Sequence, residues 1–182
     1  MAILTIYISQ VPRCCQQQRH NNINQVISRI GFTLKSLYSI NSLLPKEIRK
    51  KLAHALLMPI LSYGIEIFSG TTDLNLSHLR VSYNNILRFI YKIPRNQHIS
   101  NFSIDFIDIS FDQFIEYRIL ILLYKTLFFQ EPLYLYEMFN FSHSTRIRNL
   151  NLPQFTHRIM DLSYSVRAIN LWNAKIPNQI KF

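Results

Sequence analysis

The chain has 182 residues, 48% of them hydrophobic and 13% aromatic, with 20 lysines and arginines against 10 acidic side chains. That is the length of one domain, with enough apolar residues for a sizeable core, which excludes global disorder. Three glycines and seven prolines are too little turn punctuation for a many-stranded protein, so the expected fold is mainly α, an irregular multi-helix bundle of about five to seven helices.

Residues 1–22 differ in character from the rest of the chain. They begin with an apolar run, end in a Gln-rich stretch, and read as a poorly ordered leader without a partner elsewhere. Their apolar run is too short, and lacks the positive leader and cleavage site, for a signal peptide. Cys14 and Cys15 are adjacent, which supports neither a disulfide framework nor a zinc site. The expectation is an intracellular protein, nuclear or cytoplasmic, and not a secreted one. The longest apolar run, Ile119 to Tyr124, is enclosed by Arg118 and Lys125, so no membrane partner is expected.

The helical period sets in at Ile23. Ile23, Val26, Ile27, Ile30, Leu34, Leu37 and Tyr38 form one stripe, with Asn22 or Asn24 as its cap. Asn41 and Ser42 interrupt it before Pro45, a residue tolerated in a first helical turn. In the next helix Ile48, Leu52, Ala55 and Leu56 form the expected buried stripe. Lys46 and Lys50 lie one turn apart on another side, with Arg49 and Lys51 flanking the stripe. Pro59 kinks or ends that helix, and Ile60 to Phe68 continues as a second apolar element. Gly70 to Asp73 reads as a loop. Leu76 to Ile93 is a third amphipathic helix, with Leu76, Leu79, Tyr83, Ile86, Leu87 and Ile90 inward and Arg88 and Lys92 outward.

Residues 23–100 thus form a basic helical region, and 101–182 an apolar helix with a C-terminal extension. Asn96 to Ile109 keeps no clear period. Ser110 to Gln113 has the form of a capping box, and the helix it opens, residues 111–129, is apolar nearly all round. Such a helix is central to a core or faces a protein partner. Pro132 opens a short helix over Leu133 to Phe139, residues 140–162 read as loop with short extended pieces, and Ser163 to Ala174 reads as a last helix.

Charge is unevenly placed: residues 1–100 carry 12 basic and 3 acidic side chains, 101–141 carry 2 and 6, and 142–182 carry 6 and 1. Polyanion binders show this kind of positive face. Lys46, Arg49, Lys50, Lys51, Arg88, Lys92 and Arg95 are placed for phosphate contact. Arg146, Arg148, Arg158 and Arg167 form a second basic group. The alternative reading is plain solvation for the first group and ion pairing to the acidic middle segment for the second. Catalysis is a different matter. No two acidic residues are adjacent, and the pairs Asp105/Asp108 and Asp112/Glu116 lack a third ligand at useful spacing. The six histidines are scattered, and no nucleophile or phosphate-cradling motif occurs. No catalytic site and no cofactor are expected within this chain.

Taken together, several stretches resemble the reverse transcriptases of jockey-like non-long-terminal-repeat retrotransposons. Leu44, Pro45, Arg49, Lys50, Lys51, Pro59, Tyr63 and Gly64 are similar to the segment after that family's palm. Leu79, Asn84, Arg88, Ile90 and Arg95 are similar to the family's next helix. Glu131 to Phe139 resembles its Pro-x-Tyr-Leu element. Ser163, Ser165, Arg167, Leu171, Trp172, Asn173 and Pro177 resemble its ending near the polymerase C-terminus. The resemblance covers about Ile23 to Lys181 and implies the thumb and post-thumb region of an RNA-directed DNA polymerase. Nothing in residues 1–22 resembles the palm's Asp-Asp motif, so the chain is expected to be a truncated fragment, inactive alone. The parent's magnesium belongs to that palm. The implied partner is a template–primer of RNA or DNA, bound without sequence preference by Lys46, Arg49, Lys50, Lys51, Arg88, Lys92, Arg95 and Arg167. The alternative is a helical protein-interaction module that binds through the helix at 111–129.

Overall fold

The computed structural model describes residues 2–68, 73–142, 149–152 and 163–177, with most side chains from His20 onward. The expected loop at Gly70, Thr71 and Thr72, and the arginines Arg146, Arg148 and Arg158, lie outside the described residues. The fold is mainly α, as the scarcity of turn residues predicts. Among the described residues the β-type pairing is one isolated bridge, Phe141 to Leu150. Two compact units divide the chain, Met1–Asp112 and Gln113–Phe182.

In the first unit, α1 spans Ala2–Tyr38. Its buried face is Ile23, Val26, Ile30, Leu34 and Leu37, while Ile27 is half-buried and Tyr38 exposed. Each such aliphatic side chain contributes about 1.5–3 kcal/mol when fully buried, so this face anchors the helix. The expected cap at Asn22 or Asn24 does not form, because helical backbone runs through both and continuously from residues 2–22. Asn24 instead meets one nitrogen of the His20 ring at 3.0 Å, and the other nitrogen lies 3.0 Å from Asn75 Oδ1.

α2 (Lys46–Leu52) runs through a π-helical turn, Ala53–Leu57, into α3 (Met58–Ser62). The cause is Pro59. In regular helix its ring would press on the Ala55 carbonyl four residues back, and its nitrogen has no proton to donate. The widened turn, in which the Met58 N–H reaches Ala53 O five residues back, accommodates it. The buried stripe differs from the expected one by a residue. Arg49, Ala53, Leu57, Met58 and Leu61 face inward, whereas Ile48 and Leu56 are 40% and 44% exposed. Gly64, at a φ of 69° that favours glycine, turns the chain into α4 (Ile65–Phe68).

α5 (Asp73–Tyr91) is the central helix of this unit and packs against α1, α2 and α6. Its buried residues include Leu79, Tyr83, Ile86, Leu87, Phe89 and Ile90. It ends before the expected Ile93, because Lys92 takes a left-handed conformation with φ 54°. The Ile93 N–H then reaches back to Arg88 O at 3.3 Å, closing the helix as glycine-ended helices close. The segment without a clear period contains α6 (Ser100–Ile107), which Asp108 ends at φ 60°. Phe106 of α6 is buried between the rings of His54 and Tyr83, and Tyr83 also stacks on Phe111 at 4.9 Å.

α7 spans Phe111–Phe129, as the apolar run predicts. Within the second unit it buries Ile115, Ile119, Leu123 and Thr126 and exposes Tyr117, Tyr124, Phe128 and Phe129. α8 is Leu133–Tyr136, shorter than expected, and α9 is Tyr164–Lys175. Ser163 caps α9 by accepting from the Val166 N–H at 3.4 Å. Trp172 is buried, and the Asn173 side chain brackets Leu150. Its Oδ1 accepts from the Leu150 N–H and its Nδ2 donates to Leu150 O, both at 2.9 Å. Asn173 therefore holds the backbone of Leu150 against α9. Lys175 pairs with Glu116.

Candidate nucleic-acid interface

Of the eight cations singled out by sequence, the seven in the first unit do not form one face. Arg49 points into the first unit, 6% exposed, and its Nη1 donates to Phe89 O at 3.0 Å. Phe89 belongs to the last turn of α5, where carbonyls lack helical partners, so Arg49 caps α5 from within. Sequence placed it at the rim because a charged residue at a core position needs an acceptor that only tertiary structure supplies. Arg49 is thus corrected from a phosphate contact to a structural one.

Lys46 and Lys50 are on the surface but share an acidic neighbour. Lys46 Nζ lies 3.2 Å from Asp105 Oδ2 and 4.7 Å from the centre of the Tyr91 ring. Lys50 donates to the Asp105 carbonyl at 2.5 Å and lies 4.0 Å from Asp105 Oδ1. The Tyr91 hydroxyl donates to Asp105 Oδ2 at 2.5 Å. Hydrogen bonds from Tyr91 and Lys46, and then the two lysine charges, hold the Asp105 carboxyl below the usual carboxylate range. Burial, and then the hydrogen bond to Asp105, raise the Tyr91 phenol. α6, which carries Asp105, had no period to reveal it as a helix, and so its reach to α2 was hidden.

Lys51 and Lys92 are exposed surface residues. Lys92 lies beyond the end of α5, not one helical turn from Arg88 as its spacing implied. Arg167 sits half-buried on α9, in the other unit.

Arg88 and Arg95 do come together, and with a lysine that sequence did not single out. Arg88 Nη2 donates to Arg95 O at 3.0 Å, which folds the turn after α5 back onto the helix. Between that turn and α1 lies a cleft of about 540 Å³, lined by Gly31, Leu34, Lys35, Tyr38, Asn85, Arg88, Ile93, Pro94 and Arg95. Three of these are cations, and none is acidic. Arg88 Nη1 is buried with no hydrogen-bond partner among the described residues. A buried, charged N–H without an acceptor is costly and marks a place for water or an anion. Burial raises the Tyr38 phenol, while the Arg88 and Arg95 charges pull it the other way, so both guanidinium fields reach this ring. Lys35 was legible only as a polar position on α1; its nearness to Arg88 depends on how α1 crosses α5.

Arg88 also borders a second cleft, of about 360 Å³, with Arg80, Asn84, Gln97 and His98 among its lining residues. There Arg80 is engaged by Asp112 at 2.8 Å. Among the described residues no group of three histidine, cysteine or acidic side chains could hold a metal ion. No described helix is long and apolar enough to cross a membrane.

Comparison with protein-family models, with characterised proteins and with solved structures gave no match for this chain.

Proposed function

We propose that the first unit binds nucleic acid without sequence preference, and that the chain corresponds to the thumb and post-thumb region of a jockey-like retrotransposon reverse transcriptase. The observation that carries the binding reading is the cleft between α1 and the end of α5. Lys35, Arg88 and Arg95 line it, no acidic residue does, and Arg88 Nη1 has no acceptor among the described residues. Backbone phosphates suit such a group, because each is a fixed charge with several acceptor oxygens. The polymerase reading rests on the order of the four resembling stretches.

Two experiments test these readings. Binding to a set of oligonucleotides of unrelated sequence should weaken steeply with salt and vary little within the set. Three phosphate contacts correspond to a slope of roughly −2 to −3 in log K against log salt. A protein that ignores both single strand and duplex at low salt would sink the binding reading. For the polymerase reading, translation of the genomic DNA upstream of Met1 in all frames should yield a palm with its Asp-Asp pair.

A second reading has its own observation. Tyr117, Tyr124, Phe128 and Phe129 are exposed on α7, with the Tyr124 and Phe128 rings stacked at 5.5 Å. Exposed aromatic surface of this kind is typical of protein-interaction sites. Sedimentation as a monomer at all concentrations would count against self-association through it.

A further inference from the structure

The cleft between α1 and α5 carries more than charge, and its shape bears on which form of nucleic acid it takes. Tyr38 is 46% exposed. Its ring meets Phe89 at 82° and 5.5 Å between centres. In that edge-to-face arrangement at least one face of Tyr38 is not covered by Phe89. The remaining wall is apolar, from Leu34, Ile93 and Pro94, and Asn85 adds an amide that can both donate and accept.

Gly31 is the other telling residue. It sits within α1, where glycine is less favourable than alanine by roughly 1 kcal/mol. An added Cβ would meet nothing within 4 Å, so packing against the fold does not demand glycine here. Since Gly31 lines the cleft, the missing side chain leaves room in it.

We infer that this cleft takes an unpaired nucleotide of a single strand, its base stacked on Tyr38 and its flanking phosphates on Lys35, Arg88 and Arg95. This rests on the nucleic-acid reading above and narrows its ligand. Bases inside a duplex are stacked on both sides and cannot enter a concave site, whereas a single strand can turn one base out onto an aromatic face. Every base has such a face, so stacking on Tyr38 fits binding without sequence preference.

The test compares the full chain on a labelled oligo(dT) of about 15 nucleotides and on a mixed-sequence duplex of about 20 base pairs, by fluorescence anisotropy at low salt. Tyr38→Phe should keep the affinity for oligo(dT). Tyr38→Ala should lower it about tenfold, and Gly31→Leu similarly, with less than about a twofold change on duplex. Gly31→Leu guards against the chance that Tyr38→Ala unsettles the contact with Phe89, because its new side chain enters open space. Photo-crosslinking of the wild-type chain to oligo(dT) carrying 5-iodouracil should modify the tryptic peptide 36–46, which holds Tyr38. A duplex preference overturns the inference while the binding reading stands. So does a crosslink confined to other peptides, or equal loss on both ligands in both variants. If the wild type binds neither ligand, the binding reading fails and the inference with it.

Discussion

The first unit carries two cationic groups of similar size with opposite surroundings. On α2, Lys46 and Lys50 face Asp105, which accepts from Lys46 and Tyr91 together. Beside α1, Lys35, Arg88 and Arg95 line a cleft with no acidic residue in its wall. By spacing alone the α2 group is the more regular, one helical turn apart on a continuous helix. Yet the field at a surface is set by what neighbouring elements bring opposite it, and α6 brings a carboxylate to one group and none to the other. Regular spacing of charge therefore identifies a face, while its availability to a polyanion depends on the packing partner.

The comparison breaks most visibly at Arg49, a buried cation that belongs to neither group. Arg49→Ala removes a buried, charge-assisted hydrogen bond to Phe89 O, and should lower stability by about 2–4 kcal/mol in urea unfolding. Affinity of the folded variant for oligonucleotides should stay within about twofold of wild type, because Arg49 does not reach the surface. A large loss of affinity at unchanged stability would return Arg49 to the interface.

Charge reversal in the cleft comes next. Lys35→Glu and Arg95→Glu should each weaken binding about tenfold at low salt and flatten the salt slope by about 1. Lys51→Glu, exposed and outside both groups, should do markedly less. If all three act alike, the cleft has no special standing and only net charge matters.

Asp105→Asn sharpens the contrast from the other side. Removing the carboxylate charge leaves Lys46 without its ionic partner, while Lys50 keeps the main-chain carbonyl of residue 105, so binding should strengthen about two- to fivefold and the slope steepen by about 1. The same cluster sets a pH dependence. The carboxyl of Asp105 is lowered, so its contribution to stability is complete above the ordinary aspartate value and is lost as pH falls through the folded value. The Tyr91 phenol is raised, so its contribution is complete below the ordinary tyrosine value and fades as pH rises through the folded one. Melting temperature against pH should show both limbs, and Asp105→Asn should flatten the acid one.

The smallest effect is expected at Lys92. A lysine at φ 54° occupies a position where glycine is unstrained, and Lys92→Gly should add up to about 1 kcal/mol of stability. Its affinity for oligonucleotides should change less than that of Lys35→Glu.

The helical stripes of α1 and α5 were legible because their apolar residues recur at helical spacing without a competing signal, whereas α7 was legible only as a helix apolar nearly all round. Leu34 and Ile86 are buried where that period puts them. The α2 stripe is displaced by one position from the one hydropathy suggests. Ile48 is apolar and Arg49 charged, and hydropathy alone assigns the apolar residue to the core. α6 was not legible, since Asp105 interrupts its apolar residues and Asp108 follows at its end. Asp105 is tolerated there because two lysines from α2 and a tyrosine from α5 meet it.

The candidate site was half legible. Arg88 and Arg95 were singled out by sequence, whereas Lys35 and Tyr38 join them only through the crossing of α1 and α5, and Asn85 is their neighbour on α5 itself. Composition and periodicity determined that this chain is mainly α, that it is basic, and which faces of its longer helices are apolar. Those are local properties, fixed by turn residues and by the 3.6-residue repeat. Tertiary structure decided which cations are buried, which are paired and which line an open cleft. Those outcomes depend on side chains far apart in sequence, and electrostatic interaction is a property of distance and burial, not of spacing along the chain.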